Sequence, residues 1–297
     1  IAHCGIERRD KLQSLREMLK GESLLVTALD EIAWLLNLRG GDVQYNPVFY
    51  AWLLVTNAGA ILCCNNPMPQ VVRNALTADG VELRAYADIA ELVSRQTSTT
   101  FTDFAQLPAQ LDQAAEFTHR ASPIPLQKAI KNPTELANLR QAMRKDALAL
   151  DEFYRWLDAA RKNGPIGKWD CVRQLDACRA KQGNFLGPSF GAIVGYGGNG
   201  AVVHYQPDAK DCATLATGTL LIDSGGQYLE GTTDITRTLC LGQPTPEQKL
   251  HYTRVLQGLI ALSETQFPQG TTGNQIEVLA RQPLWQHGLN YGHGTGH

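Results

Sequence analysis

The sequence predicts an α+β fold, because helix-like and strand-like segments are grouped along the chain instead of alternating strictly. Strand-like runs of apolar and β-branched residues cluster in its second half, at residues 192–194, 201–205, 220–224 and 235–241. Helix-like segments precede and follow that group, at residues 132–157, 169–180, 245–262 and from 274 onward. A parallel Rossmann sheet would require strict alternation, so an α+β layer is the better interpretation.

The first third of the chain predicts an α/β domain. Its helix-like and strand-like segments lie at residues 6–20, 23–27, 48–55, 60–64, 71–76, 81–86 and 89–95. The Thr-Asn-Ala-Gly sequence of residues 56–59 predicts a hairpin turn between two of the strands. A polar stretch at residues 96–100 and the Pro-Ile-Pro of residues 123–125 then mark a change in composition. We therefore expect one domain at residues 1–124 and another at residues 125–297.

The composition excludes two classes of partner. The chain has 297 residues, of which 43% are hydrophobic, enough for about two packed domains. Its net charge of −2 gives no electrostatic footprint for nucleic acid or for an anionic membrane surface. No apolar run approaches the roughly 20 residues that a membrane helix needs. The seven cysteines show no CxxC spacing, so we expect reduced thiols and a cytoplasmic protein.

The helix signals are strongest near the start of the second domain. Asn132 is a suitable N-cap, Pro133 suits the first helical position, and Glu135 completes a capping box. Apolar residues then recur at helical spacing and predict one buried stripe, formed by Leu136, Leu139, Met143, Ala147, Leu150 and Leu157. Thr245 predicts the same kind of start for a later helix.

Residues 195–200 form a literal G-x-G-x-x-G, the glycine pattern of dinucleotide-binding loops. Such a loop must open a helix whose N-terminus holds the pyrophosphate. Here the strand-like run of residues 201–205 follows, and Pro207 stops it, so the pattern does not predict nucleotide binding. We expect these glycines to let the backbone turn tightly before His204.

Two carboxylates are candidates for a metal site. Asp223 ends the apolar run of residues 220–222, and Asp234 begins the strand-like segment that continues through residues 235–238. If the two strands pair as a hairpin, the side chains would lie roughly 5 Å apart. Like charges that close repel each other unless a cation neutralises them, which favours a metal ion. Both residues could also be ordinary turn or cap aspartates, because aspartate is common at strand ends.

Histidines at the end of the sequence strengthen the metal hypothesis. His293 and His297 flank a Gly-Thr-Gly and, at positions i and i+4, point to one side of a helix or strand. No glutamate follows His293, so this is not the H-E-x-x-H of zincins. Imidazole together with carboxylates suits manganese, zinc, cobalt or iron(II). His204 could be a site residue or simply a histidine buried in its strand.

Several segments together resemble the Xaa-Pro aminopeptidases (aminopeptidase P) of metallopeptidase family M24. Residues 221–228 with 231–238 resemble the first metal hairpin of that family, residues 291–297 its histidine motif, and residues 200–205 the strand that carries its first active-site histidine. Residues 26–40 and 46–49 resemble the middle domain of its three-domain, cytoplasmic branch. The resemblance spans nearly the whole chain and is weakest over residues 67–117.

The resemblance implies a pita-bread catalytic domain preceded by a creatinase-N-like domain. It also implies two divalent metal ions, manganese first and zinc or cobalt as alternatives, held by two aspartates, one histidine and two glutamates. Asp223, Asp234 and His297 match the first three ligands, whereas His204 and His293 match histidines that hold the substrate. The implied reaction releases the N-terminal residue from peptides with proline in second position, by attack of a metal-bridged hydroxide. We further expect a cytoplasmic homodimer that binds peptides but neither nucleic acid nor membrane.

The sequence departs from the family at both ends. It starts at Ile1 without a methionine and without the family's first domain, and it stops at His297, before both glutamate ligands. We therefore expect it to be part of a longer chain. We also expect the polypeptide alone to be inactive, because three ligands of five would bind metal weakly and the general base is absent. The alternatives are an Xaa-Pro dipeptidase (prolidase), a creatinase-like hydrolase without metal, and a non-catalytic module that binds peptides or protein partners.

Overall fold

The computed structural model describes residues 2–210 and 213–296. Within them the chain forms two compact units. The first unit comprises residues 2–154, 175–191 and 224–234, and the second comprises residues 155–174, 192–210, 213–223 and 235–296. The N-terminal third of the chain therefore shares its unit with segments that follow much later in the sequence.

A six-stranded mixed sheet forms the centre of the first unit. Its strands are β1 (Ser23–Val26), β2 (Ala51–Val55), β3 (Ala60–Cys64), β4 (Val81–Arg84), β5 (Thr100–Thr102) and β6 (Thr118–His119). Their order across the sheet is β4-β3-β2-β1-β5-β6. The predicted hairpin is confirmed, because β2 and β3 pair antiparallel and the amide of Thr56 donates to the Gly59 carbonyl. The pairs β3–β4, β1–β5 and β5–β6 are parallel.

Helices cover both faces of this sheet. They are α1 (Arg8–Leu19), α2 (Leu29–Leu36), α3 (Gln70–Ala78), α4 (Ile89–Ser94), α5 (Ala109–Asp112) and α6 (Ile124–Ala129). Leu24 and Val26 of β1 belong to the core cluster that contains α1 and α2 side chains, whereas Leu25 belongs to the cluster with Ile89 and Val93 of α4. Two buried faces explain why the strands are continuous apolar runs without polar alternation.

From residue 133 onward, helices and strands are grouped as the sequence predicts. The helices are α7 (Pro133–Asn163), α8 (Lys168–Ala180), α9 (Pro246–Ser263), α10 (Gly273–Ile276) and α11 (Val278–Trp285). The strands are β7 (Phe185–Pro188), β8 (Ile193–Tyr196), β9 (Gly218–Ser224), β10 (Gly226–Tyr228) and β11 (Ile235–Leu241). In the first unit β7 pairs with β10, and the order of the other sheet is β11-β9-β8.

Helix α7 begins where the capping residues predict it. The Glu135 amide donates to Asn132 Oδ1 at 3.0 Å, and the Asn132 amide donates to Glu135 Oε2 at 2.9 Å. The predicted apolar stripe is wrong in its first half, because Leu136, Met143 and Ala147 are exposed. Leu150 and Leu157 are buried as predicted, and the other buried positions of α7 in the described chain are Ala142, Asp146, Ala149 and Phe153. A charged residue lies on this buried face, which a pattern of apolar residues cannot reveal.

The predicted strand at residues 201–205 is also wrong. Residues Gly197–Ala201 form a 3-10 turn, and His204 follows in a turn with φ of 57°, in the left-handed region. The glycine-rich segment folds back on itself so closely that a Cβ at Gly195 would lie 2.8 Å from the Gly200 Cα. This close approach ends β8 and outweighs the β propensity of the residues that follow.

The remaining expectations from composition concern thiols and membranes. In the described part of the chain, six cysteines are free thiols, among them the buried Cys63 and its half-buried neighbour Cys64. Cys212 lies outside the described residues. Across residues 2–210 and 213–296 the structure has no helix with the length and hydropathy that a bilayer crossing requires.

Replacing Asn132 with alanine is expected to lower the free energy of unfolding by about 1 kcal/mol, because the α7 amide loses its cap. The loss extends to a hydrogen bond from Asn132 Nδ2 to the Cys4 carbonyl oxygen. Urea denaturation measures the difference. Asn74→Ala, at an exposed position inside α3, is the control and should change stability much less. Equal effects of the two substitutions would contradict the capping role.

Candidate metal centre

The two predicted aspartate ligands lie at strand ends. Asp223 is the second-to-last residue of β9, and Asp234 directly precedes β11. These two strands are neighbours in one sheet. Asp223 is half-buried and lies opposite Ile193 of β8, whereas Asp234 is exposed. The residues between the aspartates, 224–233, are called the connection below.

Asp223 carries an unusual oxygen. Its Oδ1 is inaccessible to solvent and accepts no hydrogen bond from any described residue. A buried carboxylate oxygen without a donor is unfavourable, and in native proteins such atoms call for an explanation by an ion or by water. An oxygen of this kind fits a divalent cation, which accepts carboxylate ligands without needing a proton.

The two ends of the connection are tied to each other. The Gly226 amide donates to Thr233 Oγ1, and the Thr233 amide donates to the Gly226 carbonyl, both at 2.9 Å. Ser189 Oγ donates to the Thr233 carbonyl at 2.8 Å. A side chain at Gly225 would place its Cβ only 1.9 Å from the Thr233 carbonyl oxygen, so this position requires glycine. The residues next to both aspartates are therefore held at fixed points.

A buried polar network anchors the connection to the helices. Arg179 of α8 donates from Nε and Nη2 to the two carboxylate oxygens of Asp146 on α7, at 2.7 and 3.1 Å. Its Nη2 also lies 3.1 Å from Ser224 Oγ, next to Asp223 in the chain. Tyr228 donates its hydroxyl proton to Asp146 at 2.9 Å. Burial, together with the negative charge of Asp146, raises the pKa of Tyr228, so its hydroxyl stays a donor.

Glu230 fixes the far side of the connection. Its Oε1 accepts hydrogen bonds from Lys145 Nζ at 2.7 Å and from Asn184 Nδ2 at 2.8 Å. Burial opposes the ionised form, but these two donors outweigh it and hold the pKa of Glu230 below its ordinary value. Glu230 is thus an ionised anchor held through Oε1, whereas its buried Oε2 has no hydrogen-bond partner among the described residues.

Neither of the two described candidate histidines joins the aspartates in a cluster that could hold a metal ion. His204 and His293 are both exposed. The His293 ring stacks on Tyr291 with centroids 4.8 Å apart, and its backbone carbonyl accepts from Arg281. His297 lies outside the described residues. In the part of the chain that the structure describes, no three His, Cys, Asp or Glu side chains converge on a point that could hold a metal ion.

Sequence reasoning missed Asp146 and Arg179. Both are charged residues on predicted helices, where charge ordinarily marks a solvated face, and no motif connects them. Tyr228 and Ser224 lie inside the segment that resembles the family's metal hairpin. That resemblance indicated that the connection belongs to the site. It did not indicate which helices hold that connection.

Comparison with known families defines the class of the protein. The profile described as "Metallopeptidase family M24" matches residues 137–297, and that described as "Creatinase/Prolidase N-terminal domain" matches residues 1–135. Because the first match covers more than half of the sequence, the chain belongs to metallopeptidase family M24. The expected fold is confirmed: a pita-bread domain preceded by a creatinase N-terminal domain.

The names of individual relatives specify a reaction within this family. A "Probable Xaa-Pro aminopeptidase P" from Laccaria bicolor is 42% identical over 313 residues, which cover 100% of this chain and 48% of the relative. The crystal structure of the X-prolyl aminopeptidase from Caenorhabditis elegans, described as a cytosolic enzyme with a di-nuclear active site, has a TM-score of 0.91 at 29% identity. It aligns with 100% of this chain over 51% of its own. The chain spans about half the length of the curated relatives that it matches.

A more distant structure supports the fold alone. The Xaa-Pro dipeptidase from Bacillus anthracis has a TM-score of 0.72 at 20% identity and aligns over 95% of this chain and 77% of its own. The shared architecture therefore extends to dipeptidases of the same fold.

Replacing Arg179 with methionine is expected to lower the free energy of unfolding by about 3 to 5 kcal/mol, because Asp146 stays buried without its cation. Urea denaturation measures the loss. Adding Asp146→Leu removes both charges and should recover part of the stability.

The matched control is Arg173→Met, because Arg173 makes an exposed ion pair with Asp170. Its effect should stay below about 1 kcal/mol. A double variant less stable than Arg179→Met alone would contradict the view that an uncompensated charge causes the loss.

Proposed function

We propose that the protein is a metal-dependent Xaa-Pro aminopeptidase, which releases the N-terminal residue from peptides with proline in second position. The observation that carries the proposal is the placement of Asp223 and Asp234 at the two ends of one closed connection between neighbouring strands. The names of relatives such as that from Laccaria bicolor support the reaction class. Because the chain spans about half their length, the activity is proposed for the protein expressed from its complete gene.

We assign the first metal ligands to Asp223, Asp234 and His297, and the resemblance adds two glutamates. Two divalent ions are proposed, manganese first, with zinc or cobalt as alternatives. The unpartnered Oδ1 of Asp223 supports the assignment, because a carboxylate oxygen is a donor that manganese accepts. When bound, such ions supply Lewis-acid polarisation of the carbonyl before proline and lower the pKa of water.

The residues of this chain perform the positioning. Arg179 holds Ser224 and Ser189 holds Thr233, so the residue next to each aspartate is fixed by a hydrogen bond. His204 and His293 are exposed, so each has free access to a peptide, and we propose that they hold it by hydrogen bonds. Positioning of reacting groups is a large part of enzymatic rate enhancement.

The domain limits, assembly and location are further parts of the proposal. We assign residues 1–124 to the creatinase-N-like domain and residues 125–297 to the pita-bread domain. We propose a cytoplasmic homodimer; the description of the Caenorhabditis elegans neighbour as cytosolic supports the location. Light scattering after size-exclusion chromatography tests the assembly, and the mass of a single chain would contradict it.

The decisive substitution is Asp223→Asn in the protein from the complete gene. It removes a negative ligand, so we expect a loss of bound metal and a fall in kcat/KM of about 100-fold or more, which equals about 2.7 kcal/mol of transition-state stabilisation. Elemental analysis should find about two equivalents of metal in the wild type and less in the variant. Chelation should abolish the activity, and added manganese should restore it.

The matched control is Asp158→Asn, at an exposed position of α7, which should leave metal content and activity unchanged. Substrates separate the candidate reactions. Cleavage of an Xaa-Pro-Xaa tripeptide supports the aminopeptidase, cleavage of Xaa-Pro dipeptides alone indicates a dipeptidase, and a wild type with neither metal nor hydrolysis indicates a binding module.

A further inference from the structure

Arg39 joins the N-terminal third of the chain to the middle of the connection. Its Nη2 donates to the Leu229 carbonyl oxygen at 2.8 Å, and its Nη1 lies 3.4 Å from the Tyr228 carbonyl oxygen. All three residues belong to the first unit. A planar guanidinium can serve two consecutive carbonyls in one fixed geometry, whereas a lysine ammonium is a single point donor.

Gln227 makes a second link to the same N-terminal segment. Its Nε2 donates to the Tyr45 carbonyl oxygen at 2.9 Å, and its Oε1 accepts from Thr232 Oγ1 at 2.6 Å. Thr232 lies two residues before Asp234. The hydrogen-bonded path from Tyr45 therefore crosses the connection and ends beside a proposed metal ligand.

The segment that supplies these groups is itself rigid. Asp42 accepts from Asn66 Nδ2 at 2.8 and 2.9 Å and from the Tyr50 amide at 2.8 Å. A Cβ at Gly40 would lie 2.5 Å from the Phe49 Cβ, which fixes how closely the backbone passes that ring. The fold of the N-terminal third therefore determines the positions of Arg39 and Tyr45.

We propose that Arg39 is a positioning residue for Asp234, and that the N-terminal third of the chain thereby sets the metal affinity of the site. The inference rests on the proposed function, in which Asp234 is a ligand. Arg179 holds the end beside Asp223, whereas loss of Arg39 releases the middle of the connection, which the Gln227–Thr232 hydrogen bond joins to the end beside Asp234. The fold then persists while the ligand geometry loosens, and groups that orient ligands typically contribute 10- to 100-fold to metal affinity.

The test compares Arg39→Met and Arg39→Lys with wild type in the protein from the complete gene. Titration with Mn²⁺, followed by the electron paramagnetic resonance of the free ion, gives the Kd. Both variants should raise the Kd by about 10-fold or more. Lysine keeps the positive charge, but it lacks the planar set of N–H donors that reaches both carbonyls. The Tm of the metal-free protein should match that of the control, and excess Mn²⁺ should restore kcat.

The matched control is Arg9→Met, because Arg9 is an exposed arginine of the same domain. A Kd for Arg39→Met within about twofold of this control would overturn the inference. A lowered Tm without metal, together with activity that excess Mn²⁺ does not restore, would also overturn it, because Arg39 would then be merely structural. Failure of the proposed function looks different: the wild type itself would bind no Mn²⁺.

Discussion

The buried ion pair between Asp146 and Arg179 is the constraint on which the candidate site depends. Their side chains are 0% and 1% exposed, and removing two charges from water costs several kcal/mol for each ion. The fold sustains this because the Asp146 carboxylate accepts three hydrogen bonds, two from Arg179 and one from Tyr228. The pair therefore fixes α7 and α8 relative to the connection. Each member is required chiefly to neutralise the buried charge of the other.

The positions of the proposed ligands follow from that anchor. Ser224, which follows Asp223, is held by Arg179, and Thr233, which precedes Asp234, is held by Ser189. Each held residue is joined directly to its aspartate by one peptide bond, so the backbone beside each carboxylate is restrained. This restraint of the neighbouring backbone supports the proposal that the two aspartates bind metal, because ligands that are already held lose less freedom on binding.

Local rules predicted much of the fold. The capping box at Asn132 and Glu135 depends on residues within one helical turn, and the hairpin at residues 56–59 depends on four, so both could be read from sequence. The buried face of α7 could not, because Asp146 is buried only through a partner 33 positions away on another helix. The prediction of a strand at residues 201–205 failed for a similar reason. The glycine-rich segment folds back on itself, and this outweighs the β propensity of the residues that lead to His204.

Gly225 is both part of the recognisable sequence of the connection and a residue that the packing of the connection requires. At Gly225 a Cβ would meet both the Thr233 carbonyl oxygen, at 1.9 Å, and Ser189 Oγ, at 2.3 Å. These are the atoms of the hydrogen bond that holds the end next to Asp234, so a larger residue would break the tie between the two ends. Gly225 therefore gives the site rigidity and not flexibility, because its small size lets the backbone close onto the residue beside the second aspartate. The Asp-Ser-Gly-Gly sequence is in this sense a packing requirement of a closed loop, and the chemistry proposed for the aspartates depends on that closure.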